Sequence, residues 1–504
     1  MLWLLFLIVT AYQNQGYWHP DEHFQILEFA NFKAGMTPES MLPWEFAAKI
    51  RPWTLPAATL VVLQTLRGLH IYSPVTQTFV LRLLTVLGAL ASSLYFLRAL
   101  RLSDYISERQ ESYARHLLAV LWFVPILWVR HTSESWSSIC FYAGVALQLE
   151  GRRLSQIRFS LPLATLLFAL SFHCRFQAGF LVLGFGLWLL FQARERISVL
   201  VLQSGLFSLF FVGLCLLDWW GYGTATLTPW NYFRVNIIGD VASHYGTSPL
   251  WELLGFGVLA FPPVSLVLLA AALWYLMTQR RQPLTWAIWP FLLVHCVIAH
   301  KELRFFVSIY WMLPLLLAVF WDGVLSKSQW ARQLRTPFVL LNLPVGLTLA
   351  LLPQNRDVAF LGQVWNRVEQ RHAAVELWDG ASSCVTNHLE SPFVQADLPT
   401  AFYDHPSAHR TELARDTTLA EELQRARYQP HIFVVASPQY HPELVKAARR
   451  LCRQTLSSYG EWLWTPLFAR LGSRVPIRQW YLFEDCRPDQ LSPVPNLPVE
   501  STGS

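Results

Sequence analysis

The chain has 504 residues, 53% of them hydrophobic and only 14% charged, and its mean hydropathy is +0.31. Soluble domains carry about 25% charged residues, so this composition, with 23 Trp and 33 Phe, excludes an ordinary soluble globule and predicts an α-helical polytopic membrane protein. The formal net charge is +6, but no Lys/Arg-rich run exists to hold nucleic acid, and loop topology accounts for the basic excess.

About eleven apolar segments follow one another: 2–12, 73–97, 117–129, 136–149, 159–174, 179–193, 198–217, 256–277, 284–299, 305–321 and 336–352. Several fall short of the roughly 20 residues of an ideal span, which is tolerated where a span lines a cavity inside protein. The first run has no basic flank and no cleavage site, so it reads as a retained span. With the N-terminus inside, the inner joints hold fourteen cations, from Arg98 to Arg335. The short outer joints hold five: Arg130, Arg175, Arg234, Lys301 and Arg304. The positive-inside rule supports that orientation.

Residues 13–72 then form the first outer loop, and the joints 218–255 and 300–304 share its face. Pro20 suits the first turn of a helix, with Asp21 and Glu22 where the dipole favours anions. Phe24, Leu27, Phe29 and the stretch Pro56 to Leu69 predict two amphipathic helices lying on the membrane surface. From 353 the hydropathy falls. Segments 431–437 and 478–484 read as strands and 442–455 as a helix, predicting a small α/β domain over 353–487 on the outer face. The Pro/Ser-rich tail 488–504 reads as disordered. Cys384, Cys452 and Cys486 in the tail domain allow one disulfide at most. Cys140, Cys174, Cys215 and Cys296 read as inert core thiols.

Candidate chemistry collects on the outer face. His19-Pro20-Asp21-Glu22 places two carboxylates beside a bilayer, where they are costly unless paired or used. Asp21 is the expected base. Each outer cation alone is compatible with snorkelling or with capping a helix C-terminus. Five on one face point to an anion, and a lipid-linked phosphate suits the forked donors of Arg. His300-Lys301-Glu302-Leu303-Arg304 is the densest group. The joint 218–255 mixes aromatic, amide and glycine residues, including Trp230, Asn231, Asn236, His244 and Tyr245. It reads equally as a sugar-binding surface or an interfacial aromatic belt. His19 and His23 have metal-ligand spacing, but no third ligand and no Asp-x-Asp accompany them, so neither metal nor cofactor is expected.

The segments His19 to Gln25, Trp44-Glu45 and Arg51 to Pro56 resemble the first lumenal loop of glycosyltransferase family 22. Its members are mannosyltransferases that use dolichyl-phosphate-mannose in GPI-anchor and N-glycan assembly. Arg130 to Ser135, Thr228 to Asn236, His244-Tyr245-Gly246 and His300 to Phe305 are similar to further family segments, in family order, over roughly residues 17–310. The C-terminal strand pattern is similar to the GPI third-mannose transferase subgroup. Two departures are Glu134, where the family has Asn, and Cys174 to Gln177, which lacks the family's Pro and Thr.

The resemblance implies a GT-C fold and an inverting transfer of mannose from a polyprenyl-phosphate-mannose donor to a hydroxyl of a lipid-linked glycan. Asp21 would be the catalytic base with Glu22 assisting, and His300, Lys301, Arg304 and Arg234 would hold the donor phosphate. The substrate-binding set would be His19, Trp44, Glu45, Arg51, Arg130, Glu134, Arg175, Asn231, Asn236, His244, Tyr245 and Glu302. Partners would be the two lipid substrates and membrane lipids, without nucleic acid. The expected location is the endoplasmic reticulum membrane in a eukaryote or the inner membrane in a bacterium. A GT-C enzyme using another polyprenyl-phosphate sugar, or a lipid-linked-sugar transporter, are the competing readings.

Overall fold

The computed structural model describes residues 2–244, 246–249, 261–298, 300–327, 329 and 333–371. In the C-terminal part it describes 375–379, 401–412, 432–435, 446, 448–450, 452–457 and 481–484. The chain divides into two compact units, Met1–Gln354 and Asn355–Ser504.

The first unit opens with α1 (Leu2–Gln13), the short α2 (Pro20–Glu22), a π-helical turn His23–Leu27 and α3 (Glu28–Lys33). It continues through α4 (Trp44–Ala48), α5 (Thr54–Gly68), α6 (Pro74–Leu102), α7 (Glu108–Val120), α8 (Val124–Trp128) and α9 (Ser133–Arg153). Then come α10 (Ile157–Cys174), α11 (Gly179–Leu187) and α12 (Ile197–Tyr222). Later helices include Thr228–Phe233, Pro262–Thr278, Pro283–Val297, Leu313–Gly323 and Arg335–Leu351.

Of the described helices, α6 and α12 alone are each long and apolar enough to cross a bilayer unaided. The pairs Pro262–Thr278 with Pro283–Val297 and Leu303–Tyr310 with Leu313–Lys327 qualify only together, bent by 110° and 54°. α12 leaves Val201, Leu202, Leu209, Val212 and Leu216 more than half exposed, as an apolar face with no protein partner requires a lipid solvent. The centre is tightly packed, with α9 lying between α6 and α10. Ser107 and Gln110 form a reciprocal capping box at the start of α7, and the Thr132 hydroxyl caps α9 through the Ser135 N–H at 3.1 Å.

The first loop departs from the surface-lying pair of helices expected for it. Phe24, Leu27 and Phe29 are buried, as are Leu55, Leu60 and Leu63 of α5. The apolar faces close on protein because α5 packs on α3 and α12 instead of on lipid. Trp53, fully buried, packs on Phe29 at 5.5 Å between ring centroids and lies directly against Gly221 of α12. A β-carbon at Gly221 would sit 2.2 Å from the indole. Gly221→Ala is therefore expected to lower stability by about 1–3 kcal/mol through overpacking, read as a fall in thermal midpoint in detergent. An unchanged midpoint would mean that Trp53 has room to move.

In the second unit, five strands order as β2-β1-β3-β5-β4: β1 (Val375–Asp379), β2 (Ala408–Glu412), β3 (Ile432–Val435), β4 (Arg453–Ser457) and β5 (Tyr481–Glu484). β1 pairs parallel with β2 and β3, whereas β5 pairs antiparallel with β3 and β4. The helix Arg356–Arg371 supplies Arg367 and Arg371 to the buried Glu484 at 3.0 and 3.2 Å. The helix expected over 442–455 is corrected at its end, since 453–455 lies in β4. Pairing with β5 overrides the local helical pattern there. Cys452 is disulfide-bonded, with its partner outside the described residues. The tail 488–504 lies outside them as well.

Candidate active site

Five helix ends far apart in sequence meet at one end of the first unit: the start of α2, the start of α5, the start of α9, the end of α10 and the segment 300–305. The local fold sets the first acid. Pro20 occupies the first helical position of α2, and the His19 ring accepts the Asp21 N–H at 3.2 Å as N-cap. This turns the Asp21 carboxylate outward from the helix start, and the π-turn that follows re-aims the chain toward α3.

Asp21 is surrounded by cations. Its Oδ2 is ion-paired with Arg304 and lies 3.5 Å from Arg51 Nη2, while Oδ1 is 3.3 Å from His19 Nδ1. Arg304 also bonds Glu302, whose Oε1 is 2.8 Å from His300 Nε2 and whose Oε2 is 3.6 Å from His19 Nε2. Burial pushes the Asp21 carboxyl up, but Arg304, His19 and Arg51 outweigh it and hold the group well below the usual carboxylate range. Glu302 is likewise lowered: burial opposes, and Arg304 and His300 prevail. The bond to Glu302 raises His300.

Glu22 goes the other way. Burial raises its pKa, and Arg130, 3.5 Å from its carboxylate, offsets only part of that. Two neighbouring carboxyls thus differ in charge preference, Asp21 held ionised and Glu22 biased toward the neutral acid. Such divergence separates base from acid roles.

Two cavities open on this end. Asp21, Glu22, Arg130, Glu134, Arg304 and Trp18 line the first. Gln25, Arg51, Arg175, Gln177 and Tyr232 give the second its polar wall. Ile26 and Ser133 belong to both. Arg175 lies 3.2 Å from Glu134, and its guanidinium sits 5.1 Å from the centre of the Phe305 ring, which Arg304 also covers at 5.5 Å. Glu45 accepts from Gln25 Nε2 at 3.2 Å and stands 3.6 Å from Arg51. Trp44 is half-buried at the start of α4.

Other expected residues do structural work. Arg130 bonds the carbonyls of Asn14 and Gly16 at 2.6 and 2.8 Å, and so anchors the segment leading into His19. The buried Lys301 donates to the carbonyls of Ser248 and Ile298 at 2.8 and 2.6 Å, and the His300 ring reaches the Gly246 carbonyl at 2.9 Å. Asn231 donates to the Lys49 carbonyl and the Thr226 hydroxyl, and Asn236 to the Tyr232 carbonyl. Arg234 and His244 are exposed, and no described contact joins either to the acids. Tyr245 lies outside the described residues.

One network had no assigned role in the sequence. Asp218 is fully buried and accepts the Trp53 N–H at 2.8 Å and the Thr228 hydroxyl at 2.5 Å, with His173 Nε2 at 3.1 Å. His173 Nδ1 is 2.6 Å from the Thr54 hydroxyl. One carboxylate thereby ties α10, α12, the start of α5 and the loop before Thr228–Phe233, and holds the chain that carries Arg51. Its only sequence signal was an acid at the end of an apolar helix.

Residues 1–387 match the model of the Alg9-like mannosyltransferase family. The chain belongs to that family. It is similar to GPI mannosyltransferase 3 of Yarrowia lipolytica, 26% identical over 62% of this chain and 59% of the relative. Mannosyltransferase APTG1 of Arabidopsis thaliana is 24% identical over 60% of this chain and 54% of the relative. GPI alpha-1,2-mannosyltransferase 3 of Bos taurus is 24% identical over 69% and 62%. The match thus spans less than two thirds of the length of these relatives. Among solved structures, ArnT from Cupriavidus metallidurans, crystallised with undecaprenyl phosphate, superimposes with a TM-score of 0.55 at 13% identity over 95% of this chain and 96% of that one. The chain therefore shares the GT-C fold.

Proposed function

We propose that this Alg9-like family member transfers mannose, with inversion, from polyprenyl-phosphate-mannose to a hydroxyl of a lipid-linked glycan. The observation that carries the reading is Asp21, an ionised carboxylate held at a cavity wall by Arg304 and Arg51. The family, the names of the relatives and the prenyl phosphate in the related structure's title support the class of donor and sugar. Asp21 accepts the proton of the acceptor hydroxyl as its oxygen attacks the anomeric carbon. The bond from that carbon to the phosphate oxygen breaks, and the electron pair leaves on prenyl phosphate. The leaving group departs as an anion, so the chemistry itself calls for no metal.

Arg304 stands beside the base and limits its protonation. Glu302 and His300 hold Arg304, and Lys301 holds the loop beneath them. Residues 1–352 carry the reaction on this reading, with the site on the lumenal or periplasmic side of the membrane and residues 353–487 forming a separate domain on that side. The test is transfer of radiolabelled mannose from polyprenyl-phosphate-mannose to lipid in detergent. Transfer of label into a glycolipid supports the proposal. Vesicle uptake of a lipid-linked sugar without transfer would replace it with transport, and label accepted only from another polyprenyl-phosphate sugar would change the donor.

A further inference from the structure

The transfer reading needs a seat for the carrier's phosphate. The cations at 300–304 are already engaged, Arg304 by two carboxylates and Lys301 by two backbone carbonyls. The first cavity is lined by three carboxylates, Asp21, Glu22 and Glu134, against two guanidiniums, Arg130 and Arg304. An additional anion there meets like charge. The second cavity is lined by two guanidiniums, Arg51 and Arg175, and by no carboxylate.

Resting on that reading, we propose that the second cavity receives the phosphate of a prenyl-phosphate carrier, held by Arg51 and Arg175. Three further observations favour it. Arg51 is loosely committed: its two acid contacts are 3.5 and 3.6 Å, and its buried Nε has no hydrogen-bond partner. A phosphate offers the forked acceptor that such a guanidinium lacks. The remaining wall is half amide and phenol, from Gln25, Gln177 and Tyr232, and half apolar, from Ile50, Leu55 and Phe176. That division suits a polar head joined to an isoprenoid chain. Finally, Ile26 and Ser133 border both cavities. A sugar on the seated phosphate would lie toward that common wall, with the acceptor hydroxyl entering beside Asp21.

The test measures equilibrium binding to the full-length protein in detergent, with farnesyl phosphate, farnesol, inorganic phosphate and glycerophosphoinositol as probes. Wild type is expected to bind farnesyl phosphate at least tenfold more tightly than farnesol or glycerophosphoinositol, with inorganic phosphate competing and added salt weakening the interaction. Arg51→Gln and Arg175→Lys are each expected to weaken farnesyl phosphate binding tenfold or more. Arg175→Lys keeps a charge beside Glu134, so the fold is spared an unpaired buried acid. Gln177→Ala, which alters no charge, is expected to cost about threefold, equivalent to one neutral hydrogen bond.

Asp21→Asn should retain farnesyl phosphate binding, which separates seating of the carrier from the chemical step. If wild type binds farnesyl phosphate and both arginine variants bind it equally well, the inference fails while the transfer reading stands. If glycerophosphoinositol binds as tightly as farnesyl phosphate, the seat belongs to an acceptor phosphodiester and the carrier assignment is overturned. If wild type binds neither farnesyl nor inorganic phosphate, the inference and the transfer reading fall together.

Discussion

Asp21→Asn is expected to lower mannosyl transfer by about 10²–10⁴-fold, the range associated with loss of a positioned general base. The amide preserves size and can still accept from the Asp21 surroundings, but it cannot take a proton from an attacking hydroxyl. The fall should appear in kcat with little change in the KM for acceptor, because a proton acceptor acts in the transition state. Arg304 keeps its second partner, Glu302, in this variant. The protein should therefore insert and elute from a sizing column as wild type does. Transfer above a tenth of wild type would remove Asp21 from the role of base and turn attention to Glu22.

Arg304→Gln should move the acidic limb of the rate profile. In the wild type Arg304 favours the charged forms of Asp21 and Glu302, and both carboxyls lie below their ordinary range. Without the guanidinium both take up protons at a higher pH. A base acts only when ionised, so activity should be lost at a higher pH than in wild type. The limb read from kcat/KM shifts upward.

Stability follows the same sign. A lowered carboxyl contributes stability above its unfolded pKa, and that contribution fades as pH falls through its folded value. Wild type should thus exceed the variant by about 1–3 kcal/mol near neutrality, between the values for exposed and fully buried pairs. The difference should shrink as the pH drops below the ordinary carboxylate range. Thermal midpoints across pH measure this. An unshifted acidic limb would mean that Arg304 does not set the charge of Asp21.

Much of the site was legible as residues and little of it as partnerships. The acids of 19–22 and the cations at 130, 175 and 301–304 stand out because charge beside apolar runs is rare and costly. Their number led to a shared anion as the explanation. The structure pairs most of them with protein groups instead: Arg304 with Asp21, Arg175 with Glu134, Arg130 with backbone carbonyls, and Lys301 with two more. A lone sequence shows an unmatched charge but not the carboxylate or carbonyl that a distant helix brings to it. Arg51 was visible only through a motif, yet it is the loosely held cation of the group. Asp218 and His173 left almost no signal, because a buried polar network is defined by contacts between four separate segments.

Composition and apolar periodicity determined by themselves that the chain is a helical membrane protein, and a short run of residues from His19 to Gln25 was enough to point to its family. These are local properties, set by the solvent each segment tolerates and by the turn that Pro20 begins. Only the tertiary structure decided which cations are spent and which remain available. The ion pair of Asp21 with Arg304 joins residues 283 positions apart. Electrostatic energy depends on distances of a few ångströms in a partly buried cavity, and those distances arise only when the helix ends converge.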